Sequence, residues 1–300
     1  AQPMQWGGRS GLSIESLHLQ VQTWQAQAKR TRTSHALLFI DIKSAFYSVV
    51  KEMLTGEGTE QELRKIFHRM KLPASVWSHF KSNVKYENTL WRATGSKMLA
   101  DSTKALLRHT WFIVPDGQTV QAPATGSRPG DPGADVLFSL ILSRIIGQIQ
   151  EKASAENMPI FFRDNITGHQ ITRCVTWVDD LAVSVCAPAE QIVNKALHML
   201  SIIQDIMLEH GMVLTTGVGK TAVLFDFHGE GALRARQELE TKFKDGLRIM
   251  SEHLGCVNIP LGAHYKHFGG HITRVGSCLQ EIKVRGANAL SKLKPLNKLL

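Results

Sequence analysis

Apolar positions along the chain follow two spacings, one typical of helices and the other typical of strands. Residues 12–29 have the helical spacing and predict an amphipathic helix. Its predicted apolar side comprises Leu12, Leu17, Leu19 and Trp24. ALLFIDI at 36–42 is a short apolar run, which predicts a buried strand with Asp41 at its C-terminal end. SAFYSVVKEML, which follows, predicts a helix.

The middle of the chain predicts a helical region, a loop and a further helix. Residues 61–110 are largely helical in pattern and are interrupted at Pro73. GSRPGDPGAD at 126–135 is rich in Gly and Pro and predicts a loop. The apolar pattern of VLFSLILSRIIGQIQEK then predicts a helix, with Asp135 as its N-terminal cap.

The second half of the chain predicts two hairpins that flank a helix and a strand. ITRCVTW and LAVSV are β-prone and are joined by Val178-Asp179-Asp180, so we expect two acids at a hairpin tip. Residues 189–210 predict a helix and 221–227 a strand, and 264–273 predict a hairpin around Gly269-Gly270. This order predicts an α+β fold with a ferredoxin-like split βαβ core. In such a core Asp41 would lie near Asp179 and Asp180.

Length and composition indicate a globular protein. The chain has 300 residues, 43% of them hydrophobic and 20% charged, which suits one large domain or two ordinary ones and excludes wholesale disorder. No apolar run is long enough to cross a membrane, and the first residues do not resemble a signal peptide. A first residue other than Met suggests a fragment. The four cysteines form no CxxC pair, so we expect reduced thiols and an intracellular protein, in the nucleus or the cytoplasm.

The positive charge is concentrated in three segments. The net charge is +9, of which residues 61–110 contribute +7, residues 1–35 +3 and residues 276–300 +4, so the remainder is acidic. The 61–110 segment also contains Trp77, Phe80, Tyr86 and Trp91. Basic residues interleaved with aromatic rings suit a nucleic-acid strand, although a solvated helical surface over a few core aromatics would have the same composition.

The clustered acids suggest a metal-dependent reaction. Carboxylates held close together need a compensating charge, and Mg²⁺ prefers such oxygen ligands together with substrate phosphates. Two such ions can activate an attacking 3′-hydroxyl and stabilise a departing pyrophosphate. An isolated Asp-Asp pair is otherwise only a good turn former.

Six segments, in order, resemble the reverse transcriptase domain of non-LTR (LINE-like) retrotransposons and related retroelements. They are QWGGRSGLSIESL (5–17), FIDIKSAFYSV (39–49, motif A), TGSRPGDPGADVLF (125–138, motif B), WVDDLAV (177–183, motif C), GMVLTTGVGKTAVL (211–224, motif D) and HYKHFGG (264–270, motif E). The resemblance implies a right-hand polymerase fold over nearly the whole chain. Residues 1–275 would form fingers (mainly 1–35 and 56–124) and palm (mainly 36–55 and 125–275), and residues 276–300 would begin a truncated thumb.

The resemblance also implies roles for individual residues. Asp41, Asp179 and Asp180 would be catalytic and would hold two Mg²⁺ ions, or Mn²⁺. Phe46 would exclude a ribose 2′-hydroxyl, although it could be an ordinary core aromatic. Lys220 would assist pyrophosphate departure, although it could be a surface lysine. Gly130 and Asp131 would approach the incoming dNTP and the template.

The implied function is RNA-directed DNA synthesis on an RNA template with a DNA primer. The partners would be that RNA–DNA duplex, dNTPs and further domains of a longer polyprotein, without a membrane. Several positions depart from the family pattern, among them Pro129 before Gly-Asp-Pro, Tyr47 after Ala-Phe and Thr215 in motif D. Two alternatives therefore stay open, namely a degenerate domain that only binds RNA or RNA–DNA duplex, and a group II intron-type maturase.

Three other patterns have competing interpretations. GVGKT (217–221) resembles part of a P-loop but lacks its first glycine, since Leu214 stands there. His253, Cys256, His264, His267 and His271 have zinc-like spacing but fit ordinary strand and loop residues better. Residues 283–300 form a basic segment with helical leucine spacing, which fits a first thumb helix better than a membrane-surface helix.

Overall fold

The structure is a computed structural model that describes residues 13–85, 89–90, 95–108, 111–113, 120–121, 125–126, 133–163, 168–217, 219–244, 246–267, 270–277 and 279–293. Within these ranges it is a mixed α+β protein, which confirms the predicted class. Its helices are α1 Ile14–Arg30, α2 Ala45–Ser48, α3 Lys51–Thr55, α4 Glu60–Arg69, α5 Trp77–Lys85, α6 Lys97–Arg108, α7 Ala134–Ala155, α8 Ala189–Glu209, α9 Ala232–Lys242 and α10 Leu279–Leu293. Its strands are β1 Ser34–Ile40, β2 Phe112–Ile113, β3 Val120–Gln121, β4 Phe161–Arg163, β5 Gln170–Thr172, β6 Cys174–Trp177, β7 Asp180–Ala187, β8 Ala222–Asp226, β9 Leu247–Ser251, β10 Gly255–Ile259, β11 His264–His267 and β12 Gly270–Thr273.

A four-stranded antiparallel sheet in the order β6-β7-β1-β8 forms the centre of the molecule. Strand β1 is paired on both sides, so that Leu38 lies opposite Val183 of β7 and Val223 of β8. All seven residues of β1, including Ser34 and His35, are buried, because the strand is covered on both faces. Along the chain, the sheet is built from a strand, helices, the β6–β7 hairpin, helix α8 and strand β8, which is the predicted split βαβ order.

Alternate residues of β1 enter two separate apolar cores. Leu38 and Ile40 belong to the larger core, which includes the buried sides of α7 and α8. Leu37 and Phe39 belong to the smaller core, which α1 and the β11–β12 hairpin complete. Side chains of a strand point alternately to its two faces. This alternation therefore predicts on which face of the sheet a residue just beyond the end of β1 lies.

Helices α4 and α5 form a third core with the end of α8. Helix α4 begins at a capping box in which Thr59 and Glu62 satisfy each other's backbone N–H groups. Pro73 lies between the two helices, where the sequence predicts a break. The buried residues come from both helices and the linker between them, from Val50 and Met53 of the α3 segment, and from Leu208 of α8. Basic side chains lie on the outside of this pair of helices, and they include Lys65, Arg69, Lys71 and Lys85.

Two aromatic residues of this segment, Trp77 and Phe80, contribute to packing. Phe80 is fully buried, and the Trp77 ring packs edge-on against Phe67 with 5.2 Å between ring centroids. The exposed guanidinium of Arg64 lies 4.7 Å from the Trp77 ring. Tyr86 and Trp91 lie outside the described residues. The prediction of base-stacking rings is therefore wrong for Phe80.

Helix α1 connects the sheet to the C-terminal hairpin through side-chain hydrogen bonds. His18 Nε2 donates to the carbonyl oxygen of His267 at 2.7 Å, and Gln25 Nε2 donates to that of Thr273 at 2.8 Å. Trp24 Nε1 donates to the carbonyl oxygen of Thr172 at 2.9 Å. The buried stripe of α1 consists of Leu17, Val21, Trp24 and Ala28. Leu19, which the sequence places on the apolar side, is exposed.

Two predicted helices differ from those in the structure. The segment SAFYSVVKEML forms the separate helices α2 and α3, because Val49 and Val50 between them are extended. The carbonyl oxygen of Val49 accepts a hydrogen bond of 2.7 Å from the backbone N–H of Gly126. Helix α7 begins at Ala134 with Gly133 at the cap position, and Asp135 lies in the first turn without a capping hydrogen bond. The prediction of Asp135 as the cap is therefore wrong.

The structure also contains elements that the sequence analysis missed. The β9–β10 hairpin packs on α8, where the buried Asp205 accepts hydrogen bonds from the Ser251 hydroxyl and from the backbone N–H of Glu252. Helix α9 precedes this hairpin.

Helix α10 is joined to β12 because the Glu281 carboxylate accepts a 2.7 Å hydrogen bond from the backbone N–H of His271. None of the helices in the described ranges is long and apolar enough to cross a membrane.

Candidate functional site

The predicted acidic residues lie at one end of the central sheet. Ile40, the last residue of β1, is opposite Leu181 of β7. Asp41 follows Ile40 and Asp180 precedes Leu181, so these two aspartates lie at the same level of the sheet. Asp179 lies in the turn between β6 and β7, because Trp177 pairs with Asp180. The fold thus brings Asp41 beside the Asp179-Asp180 pair.

The turn that carries Asp179 has an unusual backbone. Only Val178 and Asp179 link the paired residues Trp177 and Asp180. Val178 has φ of +55°, a left-handed conformation that β-branched residues rarely adopt. Such a conformation costs about 1–3 kcal/mol and persists where the surroundings fix it. Val178 packs against the larger core. The prediction of two acids at the hairpin tip is corrected: only Asp179 lies in the turn, since Asp180 is the first residue of β7.

Asp41 and Asp180 share the α1 face of the sheet with Tyr265. Phe39 belongs to the core on that face, and Asp41 lies two residues beyond it, so strand alternation assigns both to the same side. The Tyr265 ring stacks on Phe39 with 4.5 Å between centroids and 7° between planes. Burial raises the pKa of Tyr265, and the Asp41 and Asp180 carboxylates raise it further. The sequence analysis missed this residue, although the alternation in HYKH could have indicated an inward-facing tyrosine.

Asp179 is partly buried and lies near two other carboxylates. Burial raises the pKa of Asp179 above its ordinary value, and the carboxylates of Asp41 and Asp135 raise it further. A backbone hydrogen bond and the Lys220 ammonium act in the opposite direction. Neighbouring carboxylates raise each other's pKa because two negative charges repel. Asp135, predicted only as a helix cap, therefore contributes to the electrostatics of the site.

Lys220 reaches these carboxylates from the loop that precedes β8. The backbone N–H of Thr215 donates to the carbonyl oxygen of Asp41 at 2.8 Å, and the Asp41 N–H donates to Thr221 Oγ1 at 3.1 Å. These bonds fix the loop against the end of β1. As a result, Lys220 Nζ lies 3.3 Å from Asp41 Oδ1. Lys220 is therefore an exposed lysine that is paired with a predicted site residue.

Phe46 lies in the short helix α2, five residues after Asp41. Its ring is half-buried and packs on Phe138 of α7, with 5.2 Å between ring centroids. Gly126 crosses the same segment so closely that a Cβ atom there would lie 2.9 Å from the Cα atom of Tyr47. The packing of Phe46 accounts for its apolar character, and its predicted contact with a ribose stays a prediction. The predicted residues Gly130 and Asp131 lie outside the described residues.

The donor set at the sheet end fits magnesium that is shared with a substrate. In the part of the chain that the structure describes, no group of three or more His, Cys, Asp or Glu side chains could hold a metal ion by itself. Mg²⁺ commonly binds proteins through only one or two carboxylates and takes its remaining ligands from water and phosphate. Asp41 and Asp179 supply such carboxylates, and their mutual repulsion would be relieved by a divalent cation.

The other sequence patterns do not form competing sites. GVGKT is followed directly by strand β8, whereas a P-loop leads into a helix. The rings of His264 and His271 lie side by side on the β11–β12 hairpin with 6.0 Å between centroids. His253 and Cys256 belong instead to the β9–β10 hairpin.

Comparison with known proteins does not identify a family for this chain. No protein-family model matches the sequence, and no curated protein is significantly similar to it. Any assignment of function therefore rests on the residues at the end of the sheet and on their surroundings.

Proposed function

We propose that the chain is the polymerase part of a retroelement protein and catalyses RNA-directed DNA synthesis. The observation that carries this proposal is the meeting of Asp41, Asp179 and Lys220 at one end of the sheet. These residues come from three segments that are far apart in the sequence. The same three segments resemble motifs A, C and D of non-LTR reverse transcriptases. A chance resemblance of unrelated segments would not require their charged residues to meet.

The proposed reaction is attack of a primer 3′-hydroxyl on the α-phosphate of a dNTP. Asp41, Asp179 and Asp180 would hold the two Mg²⁺ ions, which when bound supply activation of the hydroxyl and charge stabilisation at the leaving pyrophosphate. The strained Val178-Asp179 turn and the bonds from Thr215 and Thr221 to Asp41 position the carboxylates before substrate arrives. Such preorganisation is the main contribution that a protein makes to phosphoryl transfer.

The proposed nucleic-acid contacts use the outer sides of the helical segments. Lys65, Arg69 and Lys85 are exposed on α4 and α5, and Lys283 and Arg285 are exposed on α10. In the proposed fold, α4 and α5 belong to the fingers and α10 begins the thumb. These cations suit the phosphates of an RNA template and a DNA primer.

Primer extension with Asp179→Asn tests the proposal. The full-length protein would be assayed on an RNA template with a DNA primer, dNTPs and Mg²⁺ or Mn²⁺. Because the substitution removes an anionic ligand and preserves side-chain size, we expect extension to fall by orders of magnitude while duplex binding is retained. Asp101→Asn on the exposed side of α6 is the matched control and should retain extension.

The same assay separates the alternatives. Phe46→Ala should retain extension and admit ribonucleotides if Phe46 excludes the 2′-hydroxyl. If the unsubstituted protein binds duplex but extends no primer with either metal, catalysis is refuted and the chain is a binding domain. The altered residues of motif B, such as Pro129, are the sequence feature that favours this second candidate.

A further inference from the structure

One ammonium group contacts a candidate metal-binding carboxylate and partly offsets the charge of a second. Lys220 Nζ lies 3.3 Å from Asp41 Oδ1, and its charge also lowers the pKa of Asp179. The main chain on either side is fixed, because the Lys220 N–H donates to the Gly217 carbonyl oxygen at 3.2 Å and the Thr221 N–H donates to that of Thr215 at 3.0 Å. The position of the ammonium is therefore set by the fold of this loop.

The ion pair is nevertheless easy to break. The side chain of Lys220 is 49% exposed and that of Asp41 is 25% exposed. Water competes for both groups, so a pair of this kind contributes little net stability. Asp41 and Asp179 are positioned by the main chain instead, since Asp41 directly follows β1 and Asp179 lies in the two-residue turn between β6 and β7. The carboxylates are thus held together by the fold, and Lys220 supplies only their charge compensation.

We propose that Lys220 is a displaceable counterion, which occupies a cation position beside Asp41 and near Asp179 until a divalent cation replaces it. This inference rests on the proposed function, since that function supplies the cation. Mg²⁺ binds a carboxylate oxygen at about 2.0–2.1 Å, and an ammonium 3.3 Å from the same oxygen would be repelled by it. The released lysine can then turn toward the phosphates of the incoming nucleotide. Lys220 thus raises the cation concentration that the site requires.

Direct measurement of Mn²⁺ binding tests this inference without catalysis. Free and bound Mn²⁺ would be distinguished by electron paramagnetic resonance in the full-length protein and in Lys220→Met, which keeps the length of the side chain and removes its charge. We expect the variant to bind Mn²⁺ about fivefold more tightly, the ratio that corresponds to an exposed ion pair at this separation. Lys43→Met, at an exposed lysine two residues after Asp41, is the matched control and should change the affinity less than twofold.

A second measurement follows the lysine itself. In NMR spectra of the unsubstituted protein, the side-chain ¹⁵N resonance of Lys220 should move toward that of a solvated lysine as Mg²⁺ is added. The resonance of Lys43 should stay unchanged. If Lys220→Met binds Mn²⁺ no more tightly, or if the Lys220 signal stays unchanged while Mg²⁺ binds, the counterion role is refuted and the proposed function stands. If the unsubstituted protein binds neither ion, both the inference and the proposed metal site fail.

Discussion

Gly126 is a position where one added methyl group should disturb the candidate site. Its φ is +94°, and its backbone N–H donates to the Val49 carbonyl oxygen at 2.7 Å. A Cβ atom would lie 2.9 Å from Tyr47 Cα and 3.2 Å from the carbonyl oxygen of Phe46. All of these neighbours are backbone atoms, so no flexible side chain can move aside. We therefore expect Gly126→Ala to displace the segment that carries Phe46.

Two costs add to give the expected loss of stability. A left-handed backbone costs a residue with a Cβ atom about 1–2 kcal/mol. Forcing the methyl group against the backbone of residues 46–47 costs about 1–3 kcal/mol more. The free energy of unfolding should thus fall by about 2–5 kcal/mol. Gly255→Ala isolates the first cost, because Gly255 has φ of +70° and nothing within 4 Å of the added methyl group. That variant should lose only about 1–2 kcal/mol.

Urea unfolding followed by circular dichroism measures both losses. The slope of unfolding free energy against urea concentration should stay the same, so that the midpoint alone reports stability. Amide hydrogen exchange at Gly126 reports locally whether its bond to Val49 is weakened. Equal losses in Gly126→Ala and Gly255→Ala, with unchanged exchange at residue 126, would show that the close approach to Tyr47 does not exist, and the reasoning would be refuted.

The remaining predictions concern acid, a buried carboxylate and salt. Burial lowers the pKa of His35 to about 3 and that of His210 to about 4, so the unfolded chain takes up their protons first as the pH falls below about 6.5. Unfolding free energy should be about 2 kcal/mol lower per histidine at pH 5 than at pH 7.5, and a pH-independent value by urea titration would contradict this. Asp205→Ala should lower the free energy of unfolding by about 2–4 kcal/mol in the same assay, because it leaves the Ser251 hydroxyl and the backbone N–H of Glu252 without their acceptor. Ser251→Ala should lower it by less, and equal losses would refute this reasoning. Binding of an RNA–DNA duplex should weaken as salt is added, and the logarithm of the binding constant should fall with the logarithm of salt concentration by roughly 0.9 per phosphate contact. Charge reversal on α4 and α5 should reduce that slope. Binding that is insensitive to salt would show that these cations do not contact phosphates.

The elements predicted correctly are those whose local pattern agrees with their burial. Residues 36–40 of β1 are a continuous apolar run, and the whole strand is buried. In α8, the apolar spacing marks the buried side of a long helix. The β9–β10 hairpin was missed although Ser251 bonds the backbone N–H groups of His253 and Leu254 within its turn. The acceptor that fixes the Ser251 hydroxyl is Asp205, 46 residues earlier, and no local pattern encodes that contact. The stripe of α1 was shifted to include Leu19, because leucine is apolar wherever it lies on a helix.

The residues of the candidate site were predictable in part, but their contacts were not. The residues Asp41, Asp179, Asp180 and Lys220 all emerged from motif resemblance, and the split βαβ order implied that the ends of β1 and β7 meet. The pairing of Lys220 with Asp41 depends on how the loop before β8 bonds to the backbone of Asp41, and no local pattern encodes that. The effect of the Asp135 carboxylate on the pKa of Asp179 was not predictable for the same reason, since it depends on where α7 starts relative to the turn at Asp179.

The bonds between α1 and the C-terminal hairpin have a consequence for synthesis on the ribosome. His18 and the His267 carbonyl that accepts its hydrogen bond are separated by 249 residues. At a translation rate of about 5–20 residues per second, the hairpin is made roughly 12–50 s after α1. Throughout that interval Leu17, Val21 and Trp24 lack part of the apolar surface that covers them in the finished protein. The nascent chain thus presents an incompletely covered apolar helix until residues 264–273 have been synthesised.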